Sequence, residues 1–164
     1  DGVAFEVLHP LPDDAAVRSV RPNALSCVLR ITSAGPQGVS ALLVGDIEAP
    51  QEQALLARGA ALQADLLLVP HHGSKTSSSP AFLDAVQPRT ALVQAGYRNR
   101  FGHPAPEVLQ RYRLRDIEVV ESSRCGAATW ASAKPAAIGC ERDAGRRYWQ
   151  HQMAPRADSA GAMP

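Results

Sequence analysis

The chain has 164 residues, 45% of them hydrophobic and 20% charged, with a formal net charge of +1. These proportions fit one globular domain and exclude a chain disordered throughout. No apolar run approaches the roughly 18–20 residues of a membrane-spanning helix, and so small a net charge supplies no bulk attraction to nucleic acid. The charge is uneven, however: residues 1–88 carry 5 basic and 9 acidic side chains, and residues 89–164 carry 12 and 7. The opening Asp1-Gly2-Val3 shows neither an initiator Met nor a basic-then-apolar leader, and reads as a cut inside a longer protein.

Residues 3–8 predict a strand, stopped by the prolines of His9-Pro10-Leu11-Pro12. Residues 10–23, rich in Pro, Asp and Arg, read as a loop. Leu25–Thr32 and Val39–Gly45 read as two strands joined by a turn at Gly35-Pro36, a hairpin being the simplest arrangement. Residues 50–63 fit a helix opened by Pro50, with Leu55, Leu56 and Leu62 on one apolar face. Asp65–Val69 is a short apolar strand of the kind buried on both faces. The polar run Pro70–Ser79 is a loop, followed by a short helix over Pro80–Val86 capped by Ser79. Thr90–Ala95 is another buried strand, Gly96–Pro106 a second polar loop, Glu107–Leu114 a helix and Ile117–Glu121 a strand. Residues 126–131 and 136–140 form a terminal hairpin, and a frayed tail follows residue 150. A hairpin followed by strand–helix alternation predicts a layered α/β domain. Ligand sites in such folds lie outside the carboxyl ends of the strands.

Three candidate groups stand at those ends. Asp46 directly follows the Val39–Gly45 strand, either as a rim carboxylate or as the cap of the helix opened by Pro50. His71 and His72 directly follow Asp65–Val69, ahead of a Gly-Ser loop. Neutral imidazole is the commonest metal ligand, and carboxylate with imidazole suits zinc or manganese. Asp46 and His72 lie 26 residues apart, with one helix and one strand between them, a spacing that in a parallel β-α-β unit returns the chain to the same sheet edge. His103 follows the next strand, as a third rim ligand, a transition-state donor or a structural loop residue. Lys75, Arg98 and Arg100 share these loops as phosphate-binding or merely solvated charges. Ser74 and its neighbouring hydroxyls show no Asp-His-Ser arrangement, which discounts a serine nucleophile. His9 and His151 read as structural or solvated, and Cys27 as a buried thiol within its strand. Cys125 and Cys140 flank the terminal hairpin without a CxxC pattern; they would pair in an oxidising compartment and stay free thiols in the cytosol.

Together the segments Asn23–Ile31 (NALSCVLRI), Leu42–Ile47 (LLVGDI), Ala64–Phe82 (ADLLLVPHHGSKTSSSPAF), Asn99–Val108 (NRFGHPAPEV) and residues 124–130 (RCGAATW) resemble the C-terminal metallo-β-lactamase-like domain of the ComEC-type DNA-internalisation competence proteins. The likeness spans roughly residues 3–150. It implies that residues 1–150 are the later, C-terminal portion of an αββα sandwich with a metal-dependent hydrolase site, and that 151–164 are a flexible tail. On this likeness Asp46 matches the metal-binding or bridging aspartate, and His72, then His71, a later ligand. His103, Lys75, Ser74 and Arg100 would serve substrate phosphate or the leaving oxygen. The cofactor would be zinc or manganese, two ions in the complete domain. The parent would be a polytopic inner-membrane channel carrying this soluble domain on its periplasmic or extracellular face, with single-stranded DNA as substrate and the non-transported strand degraded.

The chain departs from the family in one respect. It contains no HxH and no DH, so the family's HxHxDH-like ligand segment was either cut off upstream or lost. Asp46 and one or two histidines are too few for a two-metal site and marginal for one catalytic zinc. Two other readings follow. One is a catalytically inactive DNA- or partner-binding pseudo-hydrolase, in keeping with the 15 Arg against 2 Lys and the basic second half. The other is a small-phosphoester hydrolase of the same fold.

Overall fold

The structure, a computed structural model, describes residues 2–12, 14, 21–35 and 38–145. The tail expected over 151–164, His151 within it, and part of the loop expected over 10–23 lie outside the described residues. In chain order the elements are β1 (Val3–His9), β2 (Val28–Ser33), β3 (Ser40–Leu43), α1 (Ala49–Ala57), β4 (Leu66–Leu68), α2 (Pro80–Val86), β5 (Thr90–Val93), α3 (Pro106–Arg113), β6 (Glu118–Glu121), α4 (Ser122–Cys125), β7 (Ala128–Trp130), β8 (Ile138–Cys140) and α5 (Glu141–Ala144). Short 3₁₀ turns cover Pro22–Leu25 and Pro70–Gly73. No helix among the described residues is long and apolar enough to cross a membrane.

One mixed sheet runs β1-β2-β3-β4-β5-β6, and β7 and β8 make a separate antiparallel pair. β1, β2 and β3 pair antiparallel, so the expected hairpin forms; β3 to β6 pair parallel. Each parallel step is bridged by α1, α2 or α3. Right-handed crossovers taken in one direction put all three helices on one face of the sheet. The register agrees. Leu42, Leu67, Ala91 and Val119 stand in line across four strands. They pack into one cluster with Leu55 of α1, Phe82, Leu83 and Val86 of α2, and Val108 and Tyr112 of α3. The side chains that alternate with them point away from the helices. Val3, Phe5 and Val7 of β1 belong to this second face and are exposed, and Leu29, Ile31, Leu43, Leu68, Leu92 and Val120 continue it half-buried. The fold of the described residues is thus mixed α/β, with one six-stranded sheet and five helices. The described residues form one helical layer and one large sheet with an apolar second face.

Several boundaries differ from expectation for local reasons. The helix expected over 50–63 ends at Ala57. Gly59 stands just beyond it with φ +64°, Gly59 N–H donates to Leu56 O (3.0 Å) and Ala60 N–H to Leu55 O (3.1 Å). This is a Schellman ending, which a glycine free to adopt the left-handed region permits. Leu62 still reaches the core, from beyond the helix. The strand expected from Leu25 begins at Val28, because Pro22 opens a 3₁₀ turn that takes up Leu25. Cys27 therefore does not sit inside the strand. It is a free, exposed cysteine, which corrects the buried thiol expected there, and fully buried Val28 takes the inward place opposite His9. Ser79 caps α2 as expected, its Oγ accepting from Phe82 N–H at 3.4 Å. At the other end of the chain a disulfide joins Cys125 of α4 to Cys140 of β8, with Cα atoms 4.7 Å apart, and anchors α4 to the small hairpin.

Candidate functional site

β3, β4 and β5 run parallel, so their carboxyl ends share one edge of the sheet. The loops leaving that edge carry Asp46, His71 and His72, and His103. Main-chain bonds lock the loops together. His71 N–H donates to Gly45 O (3.0 Å), Ala49 N–H to Thr76 O (2.8 Å) and Ala105 N–H to Gly73 O (2.9 Å). His71 and His72 both adopt positive φ, 48° and 56°, a conformation uncommon outside glycine that Asn, Asp and His enter more readily than other residues. An extended chain at these two residues would throw their rings to opposite faces. The left-handed turn instead leaves both rings at the rim, with centroids 6.4 Å apart.

The structure brings Asp46 and His72 together. His72 Nδ1 lies 2.7 Å from Gln94 O, and His72 Nε2 lies 3.4 Å from Asp46 Oδ1. A carbonyl can only accept, so Nδ1 carries the proton. In neutral His72 the Nε2 lone pair then faces a carboxylate oxygen. Two acceptors in that position are reconciled by a proton on Nε2 or by a cation between them. Both side chains are about half exposed, at 48% and 41%, so their contact contributes little to stability and the two are open to a ligand. Asp46 is not the cap of α1. That place belongs to Glu48, whose N–H donates to Gln51 Oε1 at 3.3 Å.

His71 is spoken for differently. Its Nδ1 faces Glu48 Oε1 at 3.5 Å and Thr76 Oγ1 at 3.4 Å, while Asn23 Nδ2 donates toward its Nε2 over 3.4 Å. With both nitrogens engaged, His71 braces the loop instead of joining the Asp46–His72 pair. The residues that hold it, Asn23 and Glu48, are ones that sequence reasoning did not single out. Both flank quoted motifs, Asn23 opening NALSCVLRI and Glu48 following LLVGDI. Neither carries a spacing signal that would mark it.

His103 stands beside this cluster. Its ring lies 6.2 Å from that of His71 and stacks on Phe101 at 5.8 Å, with 17° between the planes. Asn99 clamps its backbone, accepting from His103 N–H at 3.0 Å and donating to His103 O at 2.6 Å. The His103 Nδ1 is buried without a hydrogen-bond partner. Burial first, then the charges of His71 and His72, hold its pKa below the ordinary 6.5. The sign follows from linkage: the unfolded chain takes up this proton more readily than the fold does. The stability that His103 contributes is complete above pH 6.5 and is lost as pH falls from there through its depressed native value. Thermal melts between about pH 7.5 and about pH 5 should therefore fall more steeply for the native chain than for His103→Asn. Parallel slopes would refute this.

The remaining candidates point elsewhere. Lys75 is 72% exposed and pairs with Glu107 Oε1 of α3 at 3.2 Å. Ser74 is buried, its Oγ 3.1 Å from Thr76 Oγ1 within its own turn. Arg100 lies over the ring of Phe101, 4.8 Å from its centroid. His9 is structural, as expected, with its Nε2 2.7 Å from Ala24 O. The donor set can be weighed against a metal ion on this geometry. Asp46 and His72 have the right chemistry and orientation for one side of a cation. Among the described residues, however, no group of three or more His, Cys, Asp or Glu could hold a metal. A catalytic zinc takes three protein ligands, so the described residues do not by themselves fit one.

No family model matches the sequence. Curated relatives do. The chain is 33% identical over 151 residues to Competence protein ComA of Neisseria gonorrhoeae, an alignment covering 92% of this chain and 21% of that protein. It is 37% identical over 122 residues to ComE operon protein 3 of Bacillus subtilis (74% and 15%), and 37% identical over 110 residues to Recombination protein 2 of Haemophilus influenzae (67% and 13%). The chain spans about a fifth or less of the length of these relatives.

Proposed function

We propose, for a chain whose homologues support a ComEC-type competence family concerned with DNA uptake, that this is the DNA-processing domain of such a protein and that its reacting centre is the Asp46–His72 pair. One observation carries the reading: a carboxylate and an imidazole from loops at two adjacent parallel strand ends meet at 3.4 Å on an open rim. The αββα sandwich belongs to the same proposal. Its support is the apolar second face of the sheet, which is the surface a second sheet would cover. The relatives' much greater length supports a channel portion elsewhere in the parent protein. The Cys125–Cys140 disulfide favours placement on the periplasmic or extracellular side, where such bonds persist.

The proposed reaction is hydrolysis of a phosphodiester in single-stranded DNA. A zinc or manganese ion, when bound, would supply an activated water and offset phosphate charge. Asp46 Oδ1 and His72 Nε2 are the atoms that would face it, and the ligand set requires donors beyond the described residues. The chain's own contribution is orientation. Gln94 O fixes the His72 tautomer. Asp46, on the loop tied through Gly45 O to His71 N–H, presents its carboxylate to the same point. His103 stands beside His71, its pKa held below the ordinary 6.5 chiefly by burial.

A second reading, DNA binding without turnover, is favoured by the shortfall of donors. One experiment separates them. The complete natural protein is assayed for cleavage of single-stranded DNA with manganese or zinc, beside Asp46→Ala and His72→Ala singly and together. Metal-dependent cleavage abolished in the double variant is the expected result. Cleavage untouched by the double substitution overturns the site assignment. Binding of DNA without cleavage at any metal concentration establishes the second reading in place of the first.

A further inference from the structure

The loop between β5 and α3 carries a group of side chains that the Asp46–His72 centre does not use. Tyr97 and Phe101 are large aromatic rings left 47% and 66% exposed. Each is followed or preceded by an arginine whose guanidinium lies over the ring, Arg98 at 5.2 Å from the Tyr97 centroid and Arg100 at 4.8 Å from that of Phe101. Beside them is a cleft of about 300 Å³, lined among others by Tyr97, Arg98, Asn99, His103, Ser123 and Arg124. Glu121 is the acidic residue of that lining, against two arginines.

Both walls are held. On the loop side, Asn99 closes the turn through bonds to Gly96 O (3.0 Å), His103 N–H and His103 O. On the α4 side, Ser122 Oγ accepts from Ala95 N–H (3.1 Å) and donates to Ala95 O (3.2 Å), and the disulfide from Cys125 fixes the end of the helix. Phe101 stacks on His103, so the aromatic surface leads directly to the histidine cluster.

Exposed rings cost free energy in water, and guanidinium groups parked over them are weakly held at exposed sites. A nucleobase stacks on an aromatic face more strongly than an exposed cation does, and every base has such a face. The displaced arginine is then free to take the phosphate that follows the base. Duplex DNA, whose bases are already stacked and paired, offers no such exchange. From this arrangement we infer that Tyr97, Phe101, Arg98 and Arg100, with the cleft beside them, form a stacking platform that selects unpaired DNA and feeds it toward the Asp46–His72 centre. The inference rests on the DNA-processing reading above and adds the strand-selecting surface to it.

The test is fluorescence anisotropy of the full 164-residue chain with a labelled oligo-dT strand, an abasic strand of the same length, and a duplex. The native chain should bind oligo-dT more tightly than either of the others. Tyr97→Leu with Phe101→Leu should weaken oligo-dT binding by about tenfold or more, to the abasic level, while leaving abasic binding unchanged. Arg98→Ala with Arg100→Ala should weaken both strands and reduce the salt dependence by about one to two phosphate contacts. Tyr97 and Phe101 are 47% and 66% exposed, so the melting temperature should move little; Phe101→Leu alone serves if the double variant melts early. Oligo-dT binding that is indifferent to loss of the rings, or no tighter than abasic binding, overturns the platform and leaves the DNA-processing reading standing. Absence of binding to every strand by the native chain overturns both.

Discussion

Gly73→Ala should lower stability by about 3 kcal/mol and disorganise the site at the same time. Gly73 ends the His71–His72 turn at φ +82°, where an L side chain costs roughly 1–2 kcal/mol. A Cβ there would also lie 2.6 Å from Pro104 Cβ and 3.0 Å from Pro104 Cα, well inside the roughly 3.5–4.0 Å of a normal carbon contact. Pro104 cannot simply retreat, because Ala105 N–H is bonded to Gly73 O at 2.9 Å. The loop with His71 and His72 would be pushed off the loop with His103, adding an overpacking cost of about 1–3 kcal/mol. For a chain of this size that corresponds to a fall in Tm of roughly 6–12 °C. Gly59→Ala is the control. Its φ is +64° but nothing lies within 4 Å of the added methyl, so only the backbone term applies. Thermal melts of the two variants isolate the Pro104 contact by difference. The His103 ring resonance, followed by NMR, should shift in Gly73→Ala and not in Gly59→Ala. Equal melts and equal spectra would show that the two loops are not held by this contact.

The glycine of the HHG run was visible in the sequence, but its reason was not. Strand ends located the loops that carry Asp46, His72 and His103, because each loop leaves an apolar run short enough to be a buried strand. The alternation of such strands with helices then puts their ends on one edge. What the residues left open depended on direction at the scale of single bonds. His71 and His72 are adjacent and chemically identical, and only the left-handed turn decides that one faces Asp46 while the other is braced by Glu48 and Asn23. Lys75 sits in the middle of the site loop by sequence, yet its long side chain reaches α3 and pairs with Glu107. Cys27 was misplaced because an apolar run does not say where pairing starts; Pro22 and the 3₁₀ turn after it delay the strand to Val28. The second apolar face was harder still. A strand that is apolar on both faces reads the same whether the second face is covered or open, so Leu66–Leu68 and Thr90–Val93 carry no mark of what lies over them.

Glu52 was overlooked for a similar reason, although its position held a signal: it lies three residues before Leu55, on the inward side of α1. Glu52→Ala should cost about 4 kcal/mol. The carboxylate is fully buried, with Oε1 accepting from Ser78 N–H at 2.6 Å and Oε2 from Ser79 N–H at 2.8 Å. Ser78 stands at φ +57°, a conformation that serine does not favour and that these bonds help to hold. α3 grips the same segment from the other side. Arg111 donates to Ser77 O (2.9 Å) and Ser78 O (3.1 Å), and Tyr112 OH lies 3.0 Å from Ser78 Oγ. Burial pushes the Tyr112 phenol far up, so it remains a neutral hydroxyl able to donate. Removing the carboxylate strands one buried and one half-buried N–H donor, each worth about 1–3 kcal/mol when unsatisfied, and Tm should fall by roughly 8–16 °C. Glu52→Gln keeps one acceptor but sets its amide N–H₂ against the other donor, so an intermediate loss of about 2–3 kcal/mol is expected. Tyr112→Phe, which removes one neutral bond at the edge of the same network, should cost about 1 kcal/mol. The order Ala, Gln, Phe in thermal melts is therefore the prediction. Hydrogen exchange should show the reason, with the Ser78 and Ser79 amides losing protection in Glu52→Ala while those of β4 and β5 keep it. A Glu52→Ala chain that melts with Tyr112→Phe would mean that the serine loop below the two histidines is held from α3 alone.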